Sequence, residues 1–203
     1  MLMKPKPLNS LSQTYYVMAS ESKEGNLLML ILENSPLRQW HFEELVKQSK
    51  LSRSVANKWL KKYCKQGLLN KIKEKNRFPY FTAGSNNQAY QSRKRIYALE
   101  QLEQSGLISH LASLPRAMAV ILFGSFSSYD WQKDSDIDLF IYGSDKEFEQ
   151  GKYELRLKRE IQVHKASNEK ELRKIDKLLP YIISGDFIKG SIQDLGVEIH
   201  AKA

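Results

Sequence analysis

Apolar positions along this chain fall into blocks of differing period, and each period predicts an element. The cluster in "KEGNLLMLILENSP" predicts a short buried helix, closed by Asn34, Ser35 and Pro36. "HFEELVKQSK" repeats Phe42, Leu45 and Val46 on one face and predicts a second helix. After a break at "LSRS", Val55, Trp59, Leu60 and Tyr63 give a third helix its apolar face, with Gly67 placed as its C-cap. Leu69 and Ile72, a turn near Lys75 and Asn76, then Phe78, Tyr80 and Phe81 predict a β-hairpin with a charged tip. A long amphipathic helix follows, with Tyr90, Ile96, Leu99 and Leu102 as packing positions, and "LISHLASLP" adds a short helix ended by Pro115. "MAVILF" is a strand-length apolar run that ends at Gly124. "DIDLFIY" alternates, so Asp136 and Asp138 share one face while Ile137 and Leu139 turn into a core. "REIQVHKA" alternates too, with Glu160, Gln162 and His164 on one side and Ile161 and Val163 on the other. Residues 1–20 show no sustained period and predict a loose arm.

Helix, helix, turn, helix, charged hairpin is the order of a winged helix-turn-helix, and the charge supports that reading. Residues 1–85 carry 15 Lys and Arg against 6 Asp and Glu, whereas residues 86–203 carry 17 of each sign. The whole net charge of +9 therefore sits in the first part and predicts two modules, the first with a polyanionic partner. The third helix presents Ser52, Arg53, Ser54, Asn57, Lys58, Lys61 and Lys62 away from its apolar stripe, as candidate DNA contacts. Lys73, Lys75 and Arg77, with Lys71, would lie beside the duplex on the hairpin. A winged helix used for dimerisation or for docking a protein has the same pattern.

Composition narrows the class further. The chain is 203 residues long and 41% hydrophobic, as expected of a globular protein of one large or two small domains. No apolar run approaches the roughly 20 residues that cross a bilayer. No signal-peptide pattern is present either, so the expectation is a cytoplasmic protein with no membrane partner. Cys64 is the single cysteine and is expected to be a buried or half-buried small side chain.

The chemistry gathers in "FGSFSSYDWQKDSDIDLF". A strand that runs into Gly124 and Ser125 leaves backbone N–H groups and a hydroxyl at the turn, a combination suited to phosphate. Two carboxylates on one strand face repel unless a cation neutralises them, and hard oxygen ligands suit magnesium. Gly-Ser, ten residues, then Asp-Ile-Asp-Leu resembles the signature of the polymerase-beta-like nucleotidyltransferase superfamily, in particular the minimal nucleotidyltransferases of archaea and bacteria.

The resemblance implies a third carboxylate on a neighbouring strand. Glu160 is the acidic residue on the plausible side of "REIQVHKA"; a family position falling on Gln162 instead would leave that ligand missing. It further implies binding of a nucleoside triphosphate, ATP by expectation, at Gly124 and Ser125. Asp136, Asp138 and Glu160 would act as catalytic Mg2+ ligands. The acceptor would be a nucleic acid, a small molecule or a protein, the last because minimal nucleotidyltransferases include antitoxins that modify a partner protein. Relatives commonly have a small residue, Arg and Gly after the Gly-Ser-aromatic, where this chain has Ser127, Ser128 and Tyr129; Lys133 or the wing could substitute for the missing charge. Lys189 in "LLPYIISGDFIKGS" could face a phosphate.

The expected fold, of mixed α+β and α/β character, is an N-terminal winged helix-turn-helix over residues 1–85. Linker helices over 86–115 would join it to a small mixed-sheet nucleotidyltransferase domain over 116–203. The alternative is a DNA-binding regulator whose nucleotidyltransferase domain is degenerate and serves as a homodimer body or nucleotide sensor.

Overall fold

A computed structural model describes residues 23–196. The expected loose arm over residues 1–20 lies outside them. The described residues form two compact units, with the division between Ser92 and Arg93.

The first unit begins with α1 (Lys23–Glu33), whose Leu27, Leu28, Ile31 and Leu32 are buried. Asn34 closes it by donating from Nδ2 to the Leu30 carbonyl at 2.9 Å. A two-residue strand, β1 (Trp40–His41), then leads into α2 (Phe42–Ser49) and α3 (Arg53–Lys65). Ser52 is the N-cap of α3, its hydroxyl accepting from the Val55 N–H. The buried stripe of α3 is Ala56, Leu60 and Tyr63; Val55, expected on that stripe, is 40% exposed. Helical spacing explains the difference, because position 56 is four residues before Leu60 and seven before Tyr63. Gly67 follows α3 at φ +74°, where a glycine is favoured.

The hairpin forms as β2 (Leu69–Ile72) and β3 (Tyr80–Ala83), paired antiparallel, and β1 joins the other edge of β3. Asn76 makes the turn at φ +62°. Phe78 is not part of either strand and is 87% exposed. The sequence pattern contains no signal for β1, since two residues are too few for a period.

The division between units falls within α4 (Gln88–Gln104). Along that helix the buried positions are Tyr90, Lys94, Ala98 and Leu102, four residues apart, while Ile96, expected to pack, is 47% exposed. A lysine in the buried row broke the apolar pattern and shifted the expected face.

In the second unit α5 (Leu107–Ser113) precedes a four-stranded mixed sheet in the order β6-β5-β4-β7. Its strands are β4 (Ala117–Phe123), β5 (Ile137–Gly143), β6 (Ile161–Ala166) and β7 (Asp186–Lys189). β5 and β6 run parallel, joined through α6 (Gln150–Leu157), and the other pairs are antiparallel. Ile137, Leu139 and Ile141 are fully buried on one face. On the other, Ala119, Ile121, Phe123, Phe140, Tyr142 and Ala166 form a core with Leu172 of α7 (Glu169–Leu172) and Ile182 of α8 (Leu179–Ile183). Burial on both faces explains why β4 reads as a continuous apolar run and not as an alternation. No helix among the described residues is long and apolar enough to cross a membrane.

Candidate active site

The sheet places the Gly-Ser turn beside the acidic strand. Phe123, the last residue of β4, pairs with Asp138 of β5, so the chain leaves β4 next to that carboxylate. Gly124 then turns at φ +71°, and a Cβ there would fall 2.1 Å from Oδ2 of Asp138. Only glycine fits this approach, which brings the turn backbone onto the carboxylate. Gly124–Ser127 is a single 3-10 turn, tied by Ser127 Oγ donating to the Gly124 carbonyl at 2.9 Å.

Asp136 and Asp138 are both half-buried. Burial pushes the Asp138 carboxyl up, the nearby His164 ring pulls it down, and the Asp136 charge raises it again. His164, an ordinary strand position by its pattern, is therefore part of the electrostatics of the pair. Its ring meets Phe123 edge-on at 5.4 Å.

The neighbour of the aspartates on β6 is Gln162. It stands in register with Asp138 and donates from Nε2 to Oδ2 of Asp136 at 2.7 Å. Glu160 precedes β6, where its carbonyl accepts from the Ile137 N–H at 3.0 Å. Its side chain is exposed and lines a shallow surface recess with Glu154, Leu155 and Lys158. Among the described residues no group of three His, Cys, Asp or Glu comes together as a metal site, so the expected trio is not assembled. Register sets Gln162 beside Asp138, while Glu160 stands just ahead of β6 with its side chain exposed. Two carboxylates are donors of the kind that, together with substrate phosphates, can hold a divalent cation. The amide of Gln162 does not supply the third carboxylate for a second ion.

The segment between Ser128 and Ser135 is anchored by residues that motif reasoning passed over. Trp131 is fully buried, stacks near Phe126 and Tyr97 at 5.5 and 5.8 Å, and donates from its indole to the Lys94 carbonyl at 3.2 Å. Arg159 lies 5.0 Å over Phe126 and 5.6 Å over Trp131. Its guanidinium donates to the carbonyls of Gln132 (2.8 Å), Lys133 and Ser135 (3.0 Å). Lys94 Nζ sits 4.9 Å from the Trp131 ring; burial lowers its pKa to about 8, against a pull upward from Asp130. An aromatic inside the "SSYDWQKDS" segment was the one available signal for this anchor. Lys133 is exposed, and Lys189 donates to the Leu114 carbonyl.

The candidate DNA contacts lie on the first unit. Ser54, Asn57, Lys58, Lys61, Lys73 and Lys75 are exposed. Arg53 pairs with Glu43 at 2.5 Å, Arg77 with Glu74 at 3.0 Å, and Lys62 lies 4.2 Å over Trp59. Ser52 is engaged as a cap. Cys64 is half-buried, and burial raises its thiol pKa, which makes it a poor nucleophile.

Residues 106–192 match the model of the family described as Polymerase beta, Nucleotidyltransferase. The match supports the polymerase-beta-like superfamily for that segment and, in general terms, a transferase activity that uses a nucleoside triphosphate. No curated protein and no solved structure matches the chain.

Proposed function

We propose that the second unit is a Mg2+-dependent nucleotidyltransferase that takes ATP and that the first is a winged helix-turn-helix contacting DNA. The observation that carries the transferase reading is the approach of Gly124 to Asp138, which sets a phosphate-binding turn against the acidic pair. In this reading the turn N–H groups and the Ser125 hydroxyl hold the triphosphate tail, and Asp136 and Asp138 hold the ion. Magnesium bound there would neutralise the carboxylates and the phosphate charge. The acceptor hydroxyl oxygen bonds to the α-phosphorus as the bond to the bridging oxygen breaks. Pyrophosphate leaves, and the hydroxyl proton passes to water. Arg159 and Trp131 serve this chemistry as positioning residues, keeping the segment between turn and strand in place.

Gln162 favours a second reading, in which the domain holds nucleotide without transferring it and the protein acts as a DNA-binding regulator. The same assay separates the two. Full-length protein is incubated with α-labelled ATP and Mg2+, with DNA, RNA or protein acceptors, beside Asp136→Ala/Asp138→Ala and Gln162→Glu variants. Label transfer by wild type that the double variant lacks supports the transferase. Nucleotide binding without transfer, with transfer gained in Gln162→Glu, supports the regulator. Equal transfer by wild type and the double variant removes both.

A further inference from the structure

The first unit carries a groove of about 900 Å3 between α3 and the hairpin, within the range of pockets that hold small ligands. Phe81 is buried at its floor, Phe42 and Pro79 are half-buried in its walls, and Phe78 stands on its rim 87% exposed. Asn57 and Lys71 add an amide and a cation. Leaving a phenyl ring in water forgoes roughly 1.5–3 kcal/mol of burial, so an exposed Phe on the rim of an aromatic-lined groove has no evident structural purpose. Arg53 also lines the groove, though Glu43 holds it by an ion pair. The lining cation outside any described ion pair is therefore Lys71, and Lys73 and Lys75, both exposed, follow it in the chain.

Aromatic faces beside lysines are the means by which proteins hold unpaired bases: the rings stack on the base and the cations follow the phosphates. A base inside a duplex is stacked on both sides and shows only its edges, so Phe78 could not stack on it. We infer that this groove takes an unpaired base of single-stranded DNA or RNA, with Phe78 as the stacking residue. The inference rests on the nucleic-acid reading of the first unit and adds to it which structural class of nucleic acid is bound.

Fluorescence anisotropy of full-length protein tests it, with labelled single-stranded DNA, single-stranded RNA and blunt duplex DNA of about 12 nucleotides in a salt series. Phe78→Ala should weaken single-strand binding about tenfold, leave duplex binding within about twofold, and keep the salt slope unchanged. Phe78→Trp should restore the single-strand affinity. The DNA and RNA arms decide which sugar is tolerated. Unchanged single-strand affinity in Phe78→Ala, or an equal loss on duplex, overturns the stacking role while leaving nucleic-acid binding intact. Absence of binding to all three probes overturns the nucleic-acid reading and this inference with it.

Discussion

At Gly124 two demands meet in one residue: a left-handed backbone at φ +71° and no room for a Cβ beside Asp138. An alanine there would meet the left-handed penalty of about 1–2 kcal/mol and also press on the carboxylate. Gly124→Ala is expected to lower the melting temperature by several degrees and to abolish measurable ATP binding, read by thermal melts and calorimetry. Asp138→Asn separates the two effects, because it keeps the volume near Gly124 while removing the charge. It should lose Mg2+-dependent ATP binding without the loss of stability seen in Gly124→Ala. That Gly124 and the aspartates belong together was legible before the fold, since Gly-Ser and Asp-x-Asp at this spacing bracket two strand patterns. The partner of Asp136 was not legible. Gln162 and Glu160 lie on the same alternating face, and only the pairing of Asp138 with Gln162 distinguishes them.

At the scale of elements, the acidic strand is presented to the turn by a segment that has no regular structure and is held from outside. Arg159, just ahead of β6, reaches three carbonyls of that segment and covers Phe126 and Trp131. Arg159→Met should accelerate amide hydrogen exchange in residues 128–135 and weaken ATP binding about tenfold, with little change in the exchange of β4. The helix α4 contributes a different device, the fully buried Lys94. Its pKa, lowered to about 8, lies below the ordinary lysine value of about 10.4. Below pH 8 the ammonium is charged in both folded and unfolded chains, and the full burial penalty applies. Between about pH 8 and 10.4 the unfolded chain binds more protons, so stability from this group rises with pH. Lys94→Met should therefore gain stability relative to wild type at pH 7, with the gap closing toward pH 10 in denaturant titrations. Strands and helices with clean periods were legible in the sequence, whereas β1 and the buried row of α4 were not. A two-residue strand exists only through its partner β3, and a buried lysine reads as a surface residue until its neighbours are known.

For the whole molecule the governing fact is where the charge lies: the net +9 is confined to residues 1–85, and residues 86–203 balance. On the proposed reading, phosphate contacts come from the first unit, and acid-rich chemistry next to a triphosphate takes place in a unit with no net charge. Each lysine that neutralises a phosphate releases counterions, so log affinity should fall linearly with log salt, by close to one unit of slope per contact. Lys58 and Lys61 are exposed on α3 and touch no acidic side chain among the described ion pairs, which makes them clean probes. Lys58→Ala/Lys61→Ala should reduce the slope by about 2 and weaken binding equally across DNA sequences. Asn57→Ala, which removes an amide and no charge, should leave the slope unaltered and flatten any preference between sequences. Gel shifts of both variants over a salt series read the two effects apart. An unchanged slope in the double lysine variant would remove Lys58 and Lys61 from the polyanion contact and leave it to other cations of the first unit, the hairpin lysines among them.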